Sequence, residues 1–181
     1  MRHHWSRYAT GVTVGGMTSQ PVLAEGHLKR TFEMRFTSTP RGARLARRLA
    51  AHRLDAWGIP YGTRPHEETV LVLGELTANA VQHGHVPGRD FHLLLHVIAP
   101  SGTVRIEVTD SRTERTPPDP EGLRAPGDED TCGRGLVLIA GLAERWGWYP
   151  RSGGPGKTVW AECEVPESPA ASAAAMPVSS A

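Results

Sequence analysis

Over residues 65–83 the sequence sets Val70, Leu73, Thr77, Ala80 and Val81 at helical spacing on one side. The other side carries Glu68, Glu75, Asn79 and Gln82, which fall within roughly 60° of one another at about 100° per residue. Pro65 suits a first helical turn, and Gly84 suits a helix end. A helix with one apolar and one polar side cannot stand alone, because a second layer must cover the apolar side. That demand constrains the fold more than any other feature. The polar side is then either a plain solvated face or a ligand site. A carboxylate and an amide four residues apart can meet one ligand, and a hard cation such as Mg²⁺ accepts carbonyl oxygen. Glu75 could orient or deprotonate a nearby water or hydroxyl.

The rest of the chain offers the cover. Residues 31–36 alternate Phe32, Met34 and Phe36 with Thr31, Glu33 and Arg35, the pattern of a half-buried strand. Ser38-Thr39-Pro40 supplies a cap and a first-turn proline for a helix over 40–57, stopped by Gly58 and Pro60. Arg41, Arg44, Arg47, Arg48 and Arg53 decorate that helix, as a solvated face or as a basic docking surface. Residues 91–99 and 103–109 read as a hairpin around Pro100-Ser101-Gly102. A long loop over 111–134 follows, of a length that compact domains keep for function or leave disordered. Gly133-Arg134-Gly135 then precedes a short helix over 136–145, and glycines before a helix let the backbone approach an anion. Strands over 146–149 and 157–165 form a second hairpin. The order predicts an α+β fold, a two-layer α/β sandwich with a mixed, mostly antiparallel sheet and helices on one face. The domain is expected over 30–166, with a flexible arm over 1–29 and a disordered Ala/Ser/Pro tail over 167–181.

Composition excludes several classes. Lys+Arg number 20 against 19 Asp+Glu, a net charge of +1 that gives no general pull toward nucleic acid or anionic membrane. A DNA-binding role for the Arg-bearing helix has no helix-turn-helix signature behind it. Cys132 and Cys163 form no CxxC pair, which argues against a disulfide framework or a structural zinc site. No segment has the roughly 18 apolar residues of a membrane span, and the N-terminus lacks a secretory apolar run. A cytoplasmic location is expected. His83, His85, His92 and His96 sit on different elements and make a poor metal set. Gly153-Gly154-Pro155-Gly156-Lys157-Thr158 imitates the end of a P-loop, but Arg151 stands where that motif needs glycine, and a strand follows. Asp110, at a strand end before the long loop, could accept from an exocyclic amine or merely begin a turn.

Taken in order, Glu75-Leu76-Thr77-Ala78-Asn79-Ala80-Val81-Gln82-His83-Gly84, Val108-Thr109-Asp110, Gly133-Arg134-Gly135-Leu136 and Gly156-Lys157-Thr158 resemble the nucleotide-binding boxes of the histidine-kinase-like ATPases. The likeness is to the anti-sigma-factor serine/threonine kinases and their small actinobacterial relatives, and it covers about residues 31–165. It implies the family's Bergerat-type sandwich, with ATP and Mg²⁺ as ligands. Asn79 would then coordinate Mg²⁺, and Glu75 would be the general base or water-orienting residue. Asp110 would bond the adenine amine, with Thr158 beside it. Gly133 and Gly135 would shape the lid end, Leu136 would open the next helix, and His83 would help close the helix end. Lys29 and Lys157 are the only lysines, and Lys29 precedes the first expected strand. Cationic help to the phosphates would therefore come from Lys157, from Mg²⁺ or from an Arg, with Arg134 between its two glycines the favoured candidate. The implied partners are a sigma factor and an anti-sigma-factor antagonist protein, with a homodimer possible and no direct nucleic acid. The family's second box usually continues Asp-x-Gly-x-Gly, whereas Ser111-Arg112-Thr113-Glu114-Arg115 follows Asp110 here. That departure leaves open a non-catalytic module that signals by nucleotide occupancy.

Overall fold

The computed structural model describes residues 28–98, 102–118 and 134–165. Five strands and three helices follow one another as β1 (Leu28–Thr37), α1 (Pro40–Ala56), α2 (Arg64–Gln82), β2 (Asp90–Ile98), β3 (Thr103–Asp110), α3 (Arg134–Leu142), β4 (Arg145–Pro150) and β5 (Lys157–Glu164). The sheet runs β1-β2-β3-β5-β4, and each of its four pairings is antiparallel. It is thus antiparallel throughout rather than mixed.

Alternation along the strands divides the sheet into two faces. Phe32, Phe36, Phe91, Leu93, Leu95, Val104, Ile106, Val108, Val159, Ala161 and Cys163 share one face. They form a single core with Ala46, Ala50 and Leu54 of α1, Val72, Leu73, Leu76 and Ala80 of α2, and Ile139 of α3. The two-layer sandwich with helices on one face is therefore the observed fold. Thr39 caps α1 by accepting from the Gly42 N–H (3.1 Å), with Pro40 next in line. Buried His66 ties α2 to α1 through Nε2 and the Ala51 carbonyl (3.1 Å).

Several expected boundaries change, among them the end of the third helix, which stops at Leu142 and leaves Arg145 to open β4. β1 begins at Leu28, so Leu28 and Lys29 belong to the first strand and not to an arm. Residues 1–27 and the tail lie outside the described residues, as do most of the loop over 111–134 and Cys132. α3 begins at Arg134, two residues early, and Gly135 is therefore helical. Cys163 is a free, buried thiol, pushed up to about 12 by burial, which removes it as a nucleophile.

The outer face of the sheet is polar. The Arg105 guanidinium stacks on Trp160 (4.2 Å) and donates to Glu107 (2.6 Å) and Glu162 (2.8 Å). Burial pulls its pKa down, and the two carboxylates outweigh that pull and hold it above the ordinary value. Tyr149 donates to the other Glu107 oxygen (2.6 Å), and Arg145 reaches Glu162 from the rim. Beside them, burial lowers the pKa of His96. Removing one partner of a buried charged network typically costs about 3–5 kcal/mol, because the others are left uncompensated. Arg105→Ala should lower unfolding free energy by about that much, whereas Arg145→Ala, at an exposed end, should cost under ~1 kcal/mol. Chemical denaturation of the two variants measures the contrast.

Candidate functional site

The second helix places Glu75 and Asn79 on one face, as their spacing requires. Glu75 and Asn79 stand one turn apart on α2, both half-buried, and neither side chain has a hydrogen-bond partner among the described residues. The first turn of α3 crosses them. A Cβ added to Gly135 would lie 2.6 Å from Glu75 Oε2 and 3.8 Å from Asn79 Oδ1. Glycine is needed there for close approach, since any side chain would fill the space in front of both oxygens. Arg134, at the first position of α3, is exposed. Leu136 packs against the core, and Gly133 lies outside the described residues. His83 is the C-cap of α2, its N–H on the Asn79 carbonyl (2.8 Å). Glu68, two turns before Glu75, is instead engaged within α2, accepting from Arg64 Nε (2.7 Å).

Asp110 closes β3 on the helix side of the sheet. Its carboxylate accepts from the Arg112 N–H (2.9 Å) and from Lys157 Nζ (2.8 Å to Oδ2, 3.1 Å to Oδ1). Lys157 also donates to the Arg112 carbonyl (3.2 Å), and Thr113 Oγ1 accepts from the Gly156 N–H (3.1 Å). Gly84, just past α2, lies directly on the Asp110 side chain, so that a Cβ there would overlap Asp110 Cβ, Cγ and Oδ2. The glycine that ends the helix thus also joins the two halves of the site.

Thr158 does not sit beside the Asp110 side chain. It pairs with Thr109, one step from the Asp110–Lys157 pair, and strand alternation turns both threonines to the outer face. Their hydroxyls bond each other there (2.8 Å). The residue facing Asp110 is Lys157. Its place was signalled in the sequence, because Val159, Ala161 and Cys163 mark the covered side of β5 and Lys157 has their parity. Buried on Asp110, Lys157 is not a cation for phosphates.

Among the described residues no three His, Cys, Asp or Glu side chains gather as a metal site, and no helix is long and apolar enough to cross a membrane. The arrangement is that of an α/β sandwich with two polar stations. One is an unpartnered carboxylate–amide pair beneath a helix N-terminus, and the other is a buried carboxylate at a strand end. Residues 36–162 match the model of the histidine kinase-like ATPase domain, and the chain belongs to that family. The family implies ATP as ligand. A solved structure of the RsbU and RsbW domains of Rv1364c from Mycobacterium tuberculosis has the same fold, with TM-score 0.52 and 18% identity. The match covers 75% of this chain and 32% of that one. No curated protein matches the chain.

The residues present fit such a ligand at both stations. Glu75 and Asn79 are oxygen donors without a protein partner, facing a cradle that a Cβ would fill. A carboxylate offers about four acceptor positions. Oδ1 of Asp110 receives two donors and Oδ2 one, so Oδ2 retains a position for an amine.

Proposed function

We propose that the chain is an ATP–Mg²⁺-binding regulator of the anti-sigma-factor type, acting as a serine/threonine kinase on a small antagonist protein and so controlling a sigma factor. The carrying observation is the half-buried, unpartnered Glu75–Asn79 pair beneath Gly135. Asn79 would hold Mg²⁺ through its amide oxygen, and Asp110 would accept from the adenine amine. When bound, ATP supplies the phosphoryl group. The chain's own part is to exclude water, to orient the acceptor and to take a hydroxyl proton at Glu75.

A protein partner suits the neighbouring surface. α1 has no acidic residue before Asp55, and Arg41, Arg44, Arg47 and Arg48 are exposed on it. A groove of about 260 Å³ lies between α1 and α2, with Ala43, Thr77 and Val81 in its walls and Arg44 and Arg47 beside them. It ends at Gln82, within a turn of Asn79. An apolar anchor flanked by acidic side chains would match it.

The second reading is the non-catalytic module of the same fold. It is favoured by residues 111–115, which hold neither of the glycines expected after Asp110 and are tied to β5 through Arg112 and Thr113. Incubation of the chain with labelled ATP and candidate antagonist proteins separates the two. Transfer of label to a Ser or Thr, abolished by Glu75→Ala, is the expected result. Tight ATP binding with no transfer to any candidate would establish the module instead.

A further inference from the structure

Asp110 and Lys157 lie opposite each other at the ends of β3 and β5, both side chains 5% exposed. One Lys157 N–H can serve both carboxylate oxygens and a second the Arg112 carbonyl, which leaves a third beside the open acceptor position on Oδ2. A carboxylate acceptor and an ammonium donor thus stand 2.8 Å apart at the adjoining ends of neighbouring strands. Adenine presents the complementary edge, an exocyclic amine next to a ring nitrogen acceptor. Guanine and hypoxanthine carry a carbonyl and a ring N–H in those places, and would set acceptor against acceptor and donor against donor.

Resting on the nucleotide reading above, we propose that Lys157 is a base-reading residue. Asp110 accepts from the adenine amine while Lys157 donates to the adjacent ring nitrogen, N1. The ammonium also compensates the buried carboxylate, so the pair is set before any ligand arrives. Discrimination then comes from unpaired or opposed polar groups, the strongest source of selectivity in a buried site. Lys157 is a specificity determinant and takes no part in phosphoryl chemistry.

The test compares ATP, 1-deaza-ATP (C–H in place of N1) and GTP by titration calorimetry on the full chain, with Lys157→Met and Lys157→Arg as variants. Loss of one hydrogen bond to a charged group corresponds to about 10–100-fold in affinity. Wild type should bind 1-deaza-ATP weaker than ATP by about that factor, and GTP weaker still. In Lys157→Met the ATP to 1-deaza-ATP ratio should fall to about one, while Lys157→Arg keeps part of it. A purely structural lysine would lower both affinities together and leave the ratio unchanged, which overturns the proposal. Equal binding of ATP and 1-deaza-ATP by wild type also overturns it and needs no variant to fold. Failure of the folded wild type to bind ATP at all would instead sink the nucleotide reading on which it rests.

Discussion

Asn79→Ala is expected to reduce ATP affinity by about 10–100-fold in the presence of Mg²⁺, the worth of one contact to a charged group. The side chain is half-buried, has no partner among the described residues, and sits on the polar side of α2 one turn from Glu75. Truncation therefore breaks no internal hydrogen bond, and Ala is the better helix former. Thermal stability should be unchanged or slightly raised while the ligand is lost, which separates a site residue from a packing one. The metal dependence is the sharper readout. EDTA should weaken ATP binding by wild type, because a hard cation needs an oxygen ligand from the protein beside phosphate and water. In Asn79→Ala, EDTA should make no further difference. Undiminished affinity in Asn79→Ala, or an EDTA effect of the same size in both, would remove Asn79 from the metal.

Much of this architecture was legible from local pattern. The amphipathic spacing over 65–83 demanded a covering layer, and the two hairpins could only cover it as a sheet. Glu75 and Asn79 were readable together because helical geometry alone sets their relation. What local pattern does not contain is the pairing of β3 with β5. The register that puts Asp110 opposite Lys157 joins strands separated in sequence by the long loop and α3. Without it, Thr158 looked as close to Asp110 as Lys157 did. A one-residue difference in a strand is a difference of face, and the outcome is opposite chemistry. Gly135 was misplaced for a related reason. Glycine commonly signals a loop before a helix, and here it lies inside the helix, where the missing side chain leaves room for the Glu75 carboxylate. Tertiary contact outweighed propensity.

Gly84→Ala should be the most informative single methyl group in the chain. Gly84 is not among the glycines with positive φ, so alanine meets no backbone strain there. The obstacle is contact alone. The new Cβ would overlap Asp110 Cβ, Cγ and Oδ2, and Asp110 cannot swing aside, because Lys157 Nζ and the Arg112 N–H hold its carboxylate. Overpacking of this kind costs about 1–3 kcal/mol in stability. The same displacement spoils the open acceptor position on Oδ2, so ATP affinity should fall by about tenfold or more, the value of one hydrogen bond to a charged carboxylate with its geometry lost. Gly88→Ala is the matched control. Its φ of 73° strains an alanine, yet nothing lies within 4 Å of the added methyl. It should cost about 1 kcal/mol of stability and leave ATP binding intact. Denaturation curves and ATP titrations on the two variants set strain without contact against contact without strain. If Gly84→Ala loses stability yet binds ATP as wild type does, Asp110 does not hold the base. If Gly88→Ala loses ATP binding as well, the effect of Gly84→Ala reports general loosening of the fold and not the junction between α2 and Asp110.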